Sequence, residues 1–240
     1  MLWAIFIINS LFGYIQLPEL SYTVLLNLFV TGCCYFISIL GINILVPKLN
    51  TEKAIQSLQQ SMNSLKADEN VFTAILKQQP FYETNDCDSI ICFGNPNSKL
   101  CVTVFSNPYC NPCAKMHKRI DDLLRKVNNN ISVKYILSSF EEKLNLTNKY
   151  LIAACLKKND DSVMQIFDDW FENGKELRNE YFNSLTLNME NPEIEVEFEK
   201  HDAWKNKNQL RGTPTVLING YQLPESYKIE DLRYFIDLEL

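Results

Sequence analysis

Tyr109-Cys110-Asn111-Pro112-Cys113 is the stretch whose residue types and spacing point to chemistry. Two cysteines separated by two residues can close a disulfide and reopen it. The run before them, residues 100–105 (LCVTVF), is apolar and β-branched and ends at the turn signal Ser106-Asn107-Pro108. The run after them sets Ala114, Met116, Ile120, Leu123, Leu124 and Val127 at helical spacing. The pair therefore stands where a strand hands over to a helix. Unpaired amides and the macrodipole at a helix N-terminus favour an anion, so Cys110 is expected to have a lowered pKa and to be the nucleophile. Cys113, one turn inside the helix, is expected to attack a mixed disulfide at Cys110 and release the substrate. Pro112 suits the first turn, where its missing N–H costs nothing and its fixed φ fits a helix.

The alternatives are a zinc half-site and a static disulfide. Zinc needs a second pair of ligands, and Cys87, Cys92, Cys101, His117 and Cys155 are scattered, with no second C-x-x-C. No metal site is expected, and redox chemistry is the preferred reading. A second feature supports it from about a hundred residues downstream. Arg211-Gly212-Thr213-Pro214 leads into the strand-like Thr215-Val216-Leu217-Ile218, then Asn219-Gly220 and Tyr221-Gln222-Leu223. Asn-Gly between apolar runs is the strongest local hairpin signal. Ile229, Leu232, Phe235 and Ile236 then repeat at helical spacing to close the chain.

These elements sit in a chain of uneven character. It has 240 residues, 46% hydrophobic and 22% charged, with only 7 glycines and 9 prolines, which excludes disordered and collagen-like classes. A net charge of −6, with no Lys/Arg cluster interleaved with aromatics, excludes nucleic acid as a partner. Eight cysteines exceed the usual share yet fall short of a disulfide scaffold, so some are expected to do chemistry. Residues 1–47 carry one charged side chain, Glu19, and everything from Lys48 onward is densely charged. Residues 1–18 and 20–47 are uncharged apolar runs, the second longer than the roughly 20 residues that span a bilayer. We read residues 1–47 as a transmembrane hairpin contacting lipid, the remnant of a larger membrane domain; a cleaved signal peptide lacks support without a basic n-region or cleavage site. Residues 48–84 read as an amphipathic helical linker whose stripe Ile55, Leu58, Met62 and Leu65 is expected to pack on the folded domain. Asp68-Glu69-Asn70 offers caps for a short helix through Leu76. Residues 85–240 form the folded α/β domain, with a strand at Lys134-Tyr135-Ile136-Leu137 and a helical stretch at about 140–210.

The C-x-x-C at a helix start, the Thr-Pro before a hairpin and the terminal helix together resemble the thioredoxin fold. The long helical stretch resembles the insertion of the bacterial DsbA-like thiol oxidoreductases that act outside the cytoplasm. FSNPYCNPCAKMH and RGTPTVLING also resemble thioredoxin domains fused to vitamin K epoxide reductase-type membrane proteins in bacteria. The resemblance covers about residues 85–240. It implies that Pro214 is cis and lies beside the redox pair, and that the Thr213 backbone pairs with an extended substrate segment. The membrane part departs from that family, because the adjacent Cys33-Cys34 cannot stand in for its membrane C-x-x-C, and quinone binding is not carried over. DsbA-like oxidants place a histidine between the cysteines, whereas Asn111-Pro112 supplies no charge. Oxidase, isomerase and reductase directions stay open on the residues; the fused enzymes imply oxidation.

The remaining candidates have plainer readings. Tyr109 is expected to be exposed and able to contact substrate. His117, four residues after Cys113, is expected on the helix surface, with tuning of the pair, alongside Asn111 and Pro112, as its functional alternative. Cys87 and Cys92 are either a second disulfide or small buried hydrophobes. Cys101, Cys155, Trp170 and Trp204 are expected in the core. The resulting reading is a membrane-anchored thiol–disulfide oxidoreductase acting on protein substrates, needing no cofactor, in the bacterial inner membrane with its folded domain in the periplasm. A vitamin K epoxide reductase-type protein is the implied redox partner. The rival is a thioredoxin-like docking module with a structural disulfide.

Overall fold

The computed structural model describes residues 22–84, 89–157, 160–176, 178–238 and 240. The chain divides into two units, residues 1–61 and 62–240. The first apolar run of the expected hairpin, residues 1–18, lies outside the described residues, as does Cys87. The second run opens α1, Tyr22–Lys66, a helix of 45 residues. Among the described residues it is the one helix long and apolar enough to cross a membrane, through Phe29–Lys66. Phe29, Phe36, Ile37 and Ile44 are exposed along it, a surface suited to lipid rather than water.

Two expectations change here. The helix runs through Pro47, so the second apolar run and the first part of the expected linker are one element. A proline costs a helix one backbone bond and crowds the preceding turn, yet the helix continues on both sides of Pro47. The stripe Ile55, Leu58, Met62 and Leu65, expected to be covered, is exposed, at 49–65%.

In the second unit, α2 (Glu69–Leu76) starts where the Asp68 carboxylate accepts the amides of Asn70 and Val71. It buries Phe72 and Leu76. The centre of the unit is a sheet of β1 (Cys92–Gly94), β2 (Cys101–Ser106), β3 (Ser132–Leu137), β4 (Thr215–Ile218) and β5 (Tyr221–Gln222), in the spatial order β1-β3-β2-β4-β5. Strands β2 and β3 are parallel and the other pairs are antiparallel. The parallel pair needs a crossover, which α3 (Asn111–Lys126) supplies. The β4–β5 turn has positive φ at both Asn219 (48°) and Gly220 (91°), the conformation that favours Asn-Gly. A Cβ at Gly220 would lie 2.5 Å from the Phe81 ring. The Asn219 side chain ties the hairpin to β2, accepting the Cys101 amide at 2.7 Å and donating to the Lys99 carbonyl.

Alternation along the strands sends Val102, Val104, Val133, Tyr135, Val216 and Ile218 into the main core and Phe105, Ile136 and Leu217 into a smaller cluster with Trp204. Helices α4 (Asn145–Lys157), α5 (Asp160–Asp169), α6 (Arg178–Ser184) and α7 (Pro192–Lys207) form the insertion between β3 and β4. A π-helical turn, Trp170–Gly174, follows α5. The closing element is a 3₁₀ helix, Ile229–Tyr234, rather than an α-helix. Ile229, Leu232, Phe235 and Leu238 are all buried, and their spacing of three matches three residues per turn. Phe235 stacks on Phe72, with centroids 4.1 Å apart.

Glu197 ties α7 to the sheet. It is buried, accepts the Ile90 amide at 2.9 Å, and pairs with Lys200 at 2.6 Å and His201 at 3.0 Å. Burial alone would raise its pKa, but His201, Lys200 and the Ile90 amide hold it down at about 2. A depressed carboxylate stabilises the fold above its unfolded value of about 4.5 and loses that contribution as pH falls toward about 2. Urea unfolding should show Glu197→Gln less stable than wild type at neutral pH, by on the order of 2–3 kcal/mol. The gap should close as pH falls from 4.5 to 2; a gap independent of pH would contradict the assignment.

Candidate active site

The β2 strand delivers the chain to Ser106, and the turn to α3 is built from its own polar groups. The Asn107 side chain accepts the Tyr109 amide at 2.9 Å, and the Asn107 carbonyl accepts the Cys110 amide at 3.0 Å. Cys110 is thereby the N-cap of α3, with an extended φ of −82° and ψ of 123°. Asn111 and Pro112 occupy the first exposed positions of the helix. Cys110 is half-buried and Cys113 is 1% exposed. One sulfur therefore meets solvent and the other lies behind it, both as thiols in this structure.

The loop before β4 comes up against this pair. The Thr213–Pro214 peptide bond is cis. The Cys110 thiol donates to the Thr213 carbonyl at 3.5 Å, and the Asn107 amide donates to the Cys113 sulfur at 3.5 Å. The two thiols are driven apart electrostatically. Burial pushes Cys110 up, but the Cys113 amide and thiol, the Thr213 hydroxyl and the charge of Lys175 together hold it below the ordinary thiol value. Cys113 is raised by burial, which outweighs its hydrogen bonds from Asn107, Thr213 and Ser106. At neutral pH the accessible sulfur is the better anion and the buried one keeps its proton.

The insertion is bolted to the turn through Trp170. Its indole N–H donates to the Pro108 carbonyl at 3.1 Å, and its ring meets Tyr109 edge-on at 5.6 Å. Tyr109 is consequently half-buried rather than exposed, with its hydroxyl 2.6 Å from that of Thr147 on α4. Its side chain is held by the insertion, which corrects the expectation that it is exposed. Lys175, just past the π-turn, reaches Asn111 Oδ1 with its ammonium group at 3.1 Å. No local signal marks Lys175 in the sequence, because its partner lies 64 residues away.

His117 is buried, at 2% exposure, rather than on the helix surface. It belongs to the inward stripe Cys113, His117, Ile120 and Leu124 of α3, where burial is possible because partners arrive from other elements. Tyr135 lies 2.8 Å from Nδ1 and Asp168 lies 2.9 Å from Nε2. Burial, then the charge of Asp168, push Tyr135 well up, so its hydroxyl keeps its proton in the hydrogen bond with Nδ1. Both ring nitrogens are occupied and neither is offered to the sulfurs; the expectation that burial corrects is the helix-surface one.

The other cysteines stand apart. Cys92 has its sulfur 3.5 Å from the Ser132 hydroxyl. Cys101 and Cys155 are half-buried, Cys155 packed against the main core and Cys101 beside Thr103 and Lys134 at an open depression. Trp170 and Trp204 are core side chains. Among the described residues no group of three or more His, Cys, Asp or Glu side chains could hold a metal.

A family model described as thioredoxin matches residues 87–238. ScsC of Proteus mirabilis, in a transitional conformation, superposes with a TM-score of 0.53 at 14% identity, over 86% of this chain and 96% of its own. Oxidised BdbD of Bacillus subtilis gives 0.52 at 14% identity, over 66% and 95%. A periplasmic thioredoxin-like protein of Salmonella enterica serovar Typhimurium gives 0.50 at 12% identity, over 64% and 92%. No curated protein matches the chain.

The separation of the two thiols has a direct readout. Limited alkylation at neutral pH, mapped by mass spectrometry, should label Cys110 at least tenfold faster than Cys113, because thiolate fraction and access both favour it. The Cys110 rate should fall as pH drops through its lowered pKa. Equal labelling of the two cysteines would contradict the geometry.

Proposed function

The chain belongs to the thioredoxin family, and from that premise we propose that it is a membrane-anchored protein thiol–disulfide oxidoreductase working through Cys110 and Cys113 outside the cytoplasm. The observation that carries the reading is the placement of Cys110 at the helix N-cap, half-exposed and 3.5 Å from the Thr213 carbonyl, with Cys113 buried behind it. An extended substrate segment laid along Thr213-Pro214 brings its sulfur to Cys110, and the Thr213 backbone pairs with it.

In the oxidising direction, a substrate thiolate attacks Cys110 of the closed disulfide. The Cys110–Cys113 bond breaks, a substrate–Cys110 bond forms and Cys113 leaves as a thiolate that takes up a proton. A second substrate thiolate attacks the substrate sulfur of the mixed disulfide and Cys110 leaves. Two electrons have moved from two substrate thiols to the pair, and the substrate holds a disulfide. The reverse sequence reduces or isomerises substrates. Oxidation is favoured because the low pKa of Cys110 stabilises the reduced state, which makes the pair a better electron acceptor. The raised pKa of Cys113 fits its protonation on leaving. The two sulfurs carry the electrons, so no bound cofactor takes part.

Helix α1 supplies the anchor, its apolar side chains facing lipid. The redox domain works in an oxidising compartment, the periplasmic side of a bacterial inner membrane, in keeping with the periplasmic relative. Reoxidation passes the two electrons to a membrane redox protein of the vitamin K epoxide reductase type. Tyr109, Asn111 and Pro112 shape the rim of the site, Pro112 by fixing the first turn of α3.

Full-length protein in detergent, mixed with glutathione disulfide, tests this. Wild type should form and resolve a glutathione adduct. Cys110→Ser should lose all exchange, while Cys113→Ala should stop as a stable mixed disulfide with a one-glutathione mass gain. Exchange retained in Cys110→Ser, or a wild-type pair inert to glutathione, would overturn the reading in favour of a docking module with a structural disulfide.

A further inference from the structure

A thioredoxin-type pair with asparagine and proline between its cysteines has no charge of its own to stabilise the thiolate. Here a charge comes from the insertion. Lys175 Nζ donates to Asn111 Oδ1 at 3.1 Å, and Asn111 is covalently next to Cys110. The lysine is held there by a chain of contacts that begins in the core. Trp170 is fully buried and its indole N–H is fixed on the Pro108 carbonyl, two residues before Cys110. Gly174 closes the π-turn against the flat of that indole, where a Cβ would meet the ring at 2.6 Å. Lys175 is the next residue, and its ammonium group reaches the start of α3 at Asn111.

The charged groups around Cys110 are few. On its own helix the titratable neighbour is Cys113, from the Thr213 loop come an uncharged hydroxyl and carbonyl, and from the insertion comes Lys175. Lys115, Lys118 and Glu172 line the groove beside His117 and Asp168 instead. The field of the Lys175 ammonium lowers Cys110, in the same direction as the helix N-terminus.

We propose that Lys175, held by the Asn111 carboxamide, is a positioning residue that stabilises the Cys110 thiolate and makes the Asn-Pro pair a stronger oxidant than its spacer alone allows. The proposal rests on the reading of Cys110 and Cys113 as an exchanging pair. It assigns Asn111 a role as the acceptor that recruits the missing charge, and makes the insertion part of the redox centre.

The test uses full-length protein in detergent, as wild type, Lys175→Gln, Lys175→Arg and Asn111→Ala. Two quantities are read: the pH at which the ultraviolet thiolate absorbance of Cys110 appears, and the equilibrium with glutathione. Lys175→Gln should move the titration to higher pH and shift the equilibrium roughly fivefold toward the protein disulfide, the effect of one unit charge at close range in a water-like medium. Lys175→Arg should keep most of the wild-type behaviour, and Asn111→Ala should fall between. Raising salt should move wild type toward Lys175→Gln and leave that variant in place, because salt screens an exposed charge. A purely structural role would not produce the salt response. Wild-type titration and equilibrium in Lys175→Gln, with wild type exchanging normally, overturns this proposal alone. A wild-type pair that does not equilibrate with glutathione overturns the exchange reading and this proposal with it.

Discussion

A sulfur anion in front of an apolar core has to be stabilised without being buried, and the arrangement around Cys110 answers that constraint. Burial works against the thiolate, so compensation has to come from groups that are fixed before charge appears. The N-terminus of α3 provides oriented amides, and the turn from Asn107 to Tyr109 sets Cys110 at the N-cap, where they converge. The Thr213 loop supplies a hydroxyl from the far side. The core beneath does the opposite to Cys113, where burial keeps the proton on the sulfur. Two chemically identical side chains three residues apart thus acquire different roles from their surroundings.

The sheet and the insertion can be seen as the means of holding that arrangement. The parallel β2–β3 pair with α3 as crossover fixes where the helix begins, and β4, paired with β2, carries Thr213 and Pro214 to it. Register matters here, because Phe105 faces Thr215 across the β2–β4 ladder and both strands run to the site from those positions. The insertion is joined to the same turn by the buried Trp170 and to the helix start by Lys175. Beneath it, Asp168, His117 and Tyr135 form a satisfied hydrogen-bonded chain linking α5, α3 and β3. Satisfied buried polar chains of this kind fix one packing arrangement among several apolar ones.

What could be read from the residues divides by sequence distance. The C-x-x-C, its flanking strand and helix, and the Asn-Gly hairpin are local patterns, and each lies within a few residues of the structure's boundaries. The fates of His117, Tyr109 and Lys175 were not legible, since each is decided by a partner 18 to 64 residues away. The surface expectation for His117 ignored that its position lies on the same stripe as Cys113 and Ile120; only the arrival of Tyr135 and Asp168 makes burial affordable. The closing segment carried a usable clue in its spacing of three, which an α-helical reading of Ile229, Leu232 and Phe235 overlooked. The second apolar run and the linker read as separate segments on the two sides of Pro47, yet one helix runs through it.

The central claim is that Cys110 and Cys113 cycle between dithiol and disulfide while passing electrons to or from protein substrates. Acid quenching of intact cells followed by alkylation reads that state most directly, in wild type and in a Cys113→Ala trap. The account predicts a mostly oxidised pair in wild type and disulfide-linked adducts of exported proteins on Cys110 in the trap. A pair that never changes state and traps nothing would contradict it.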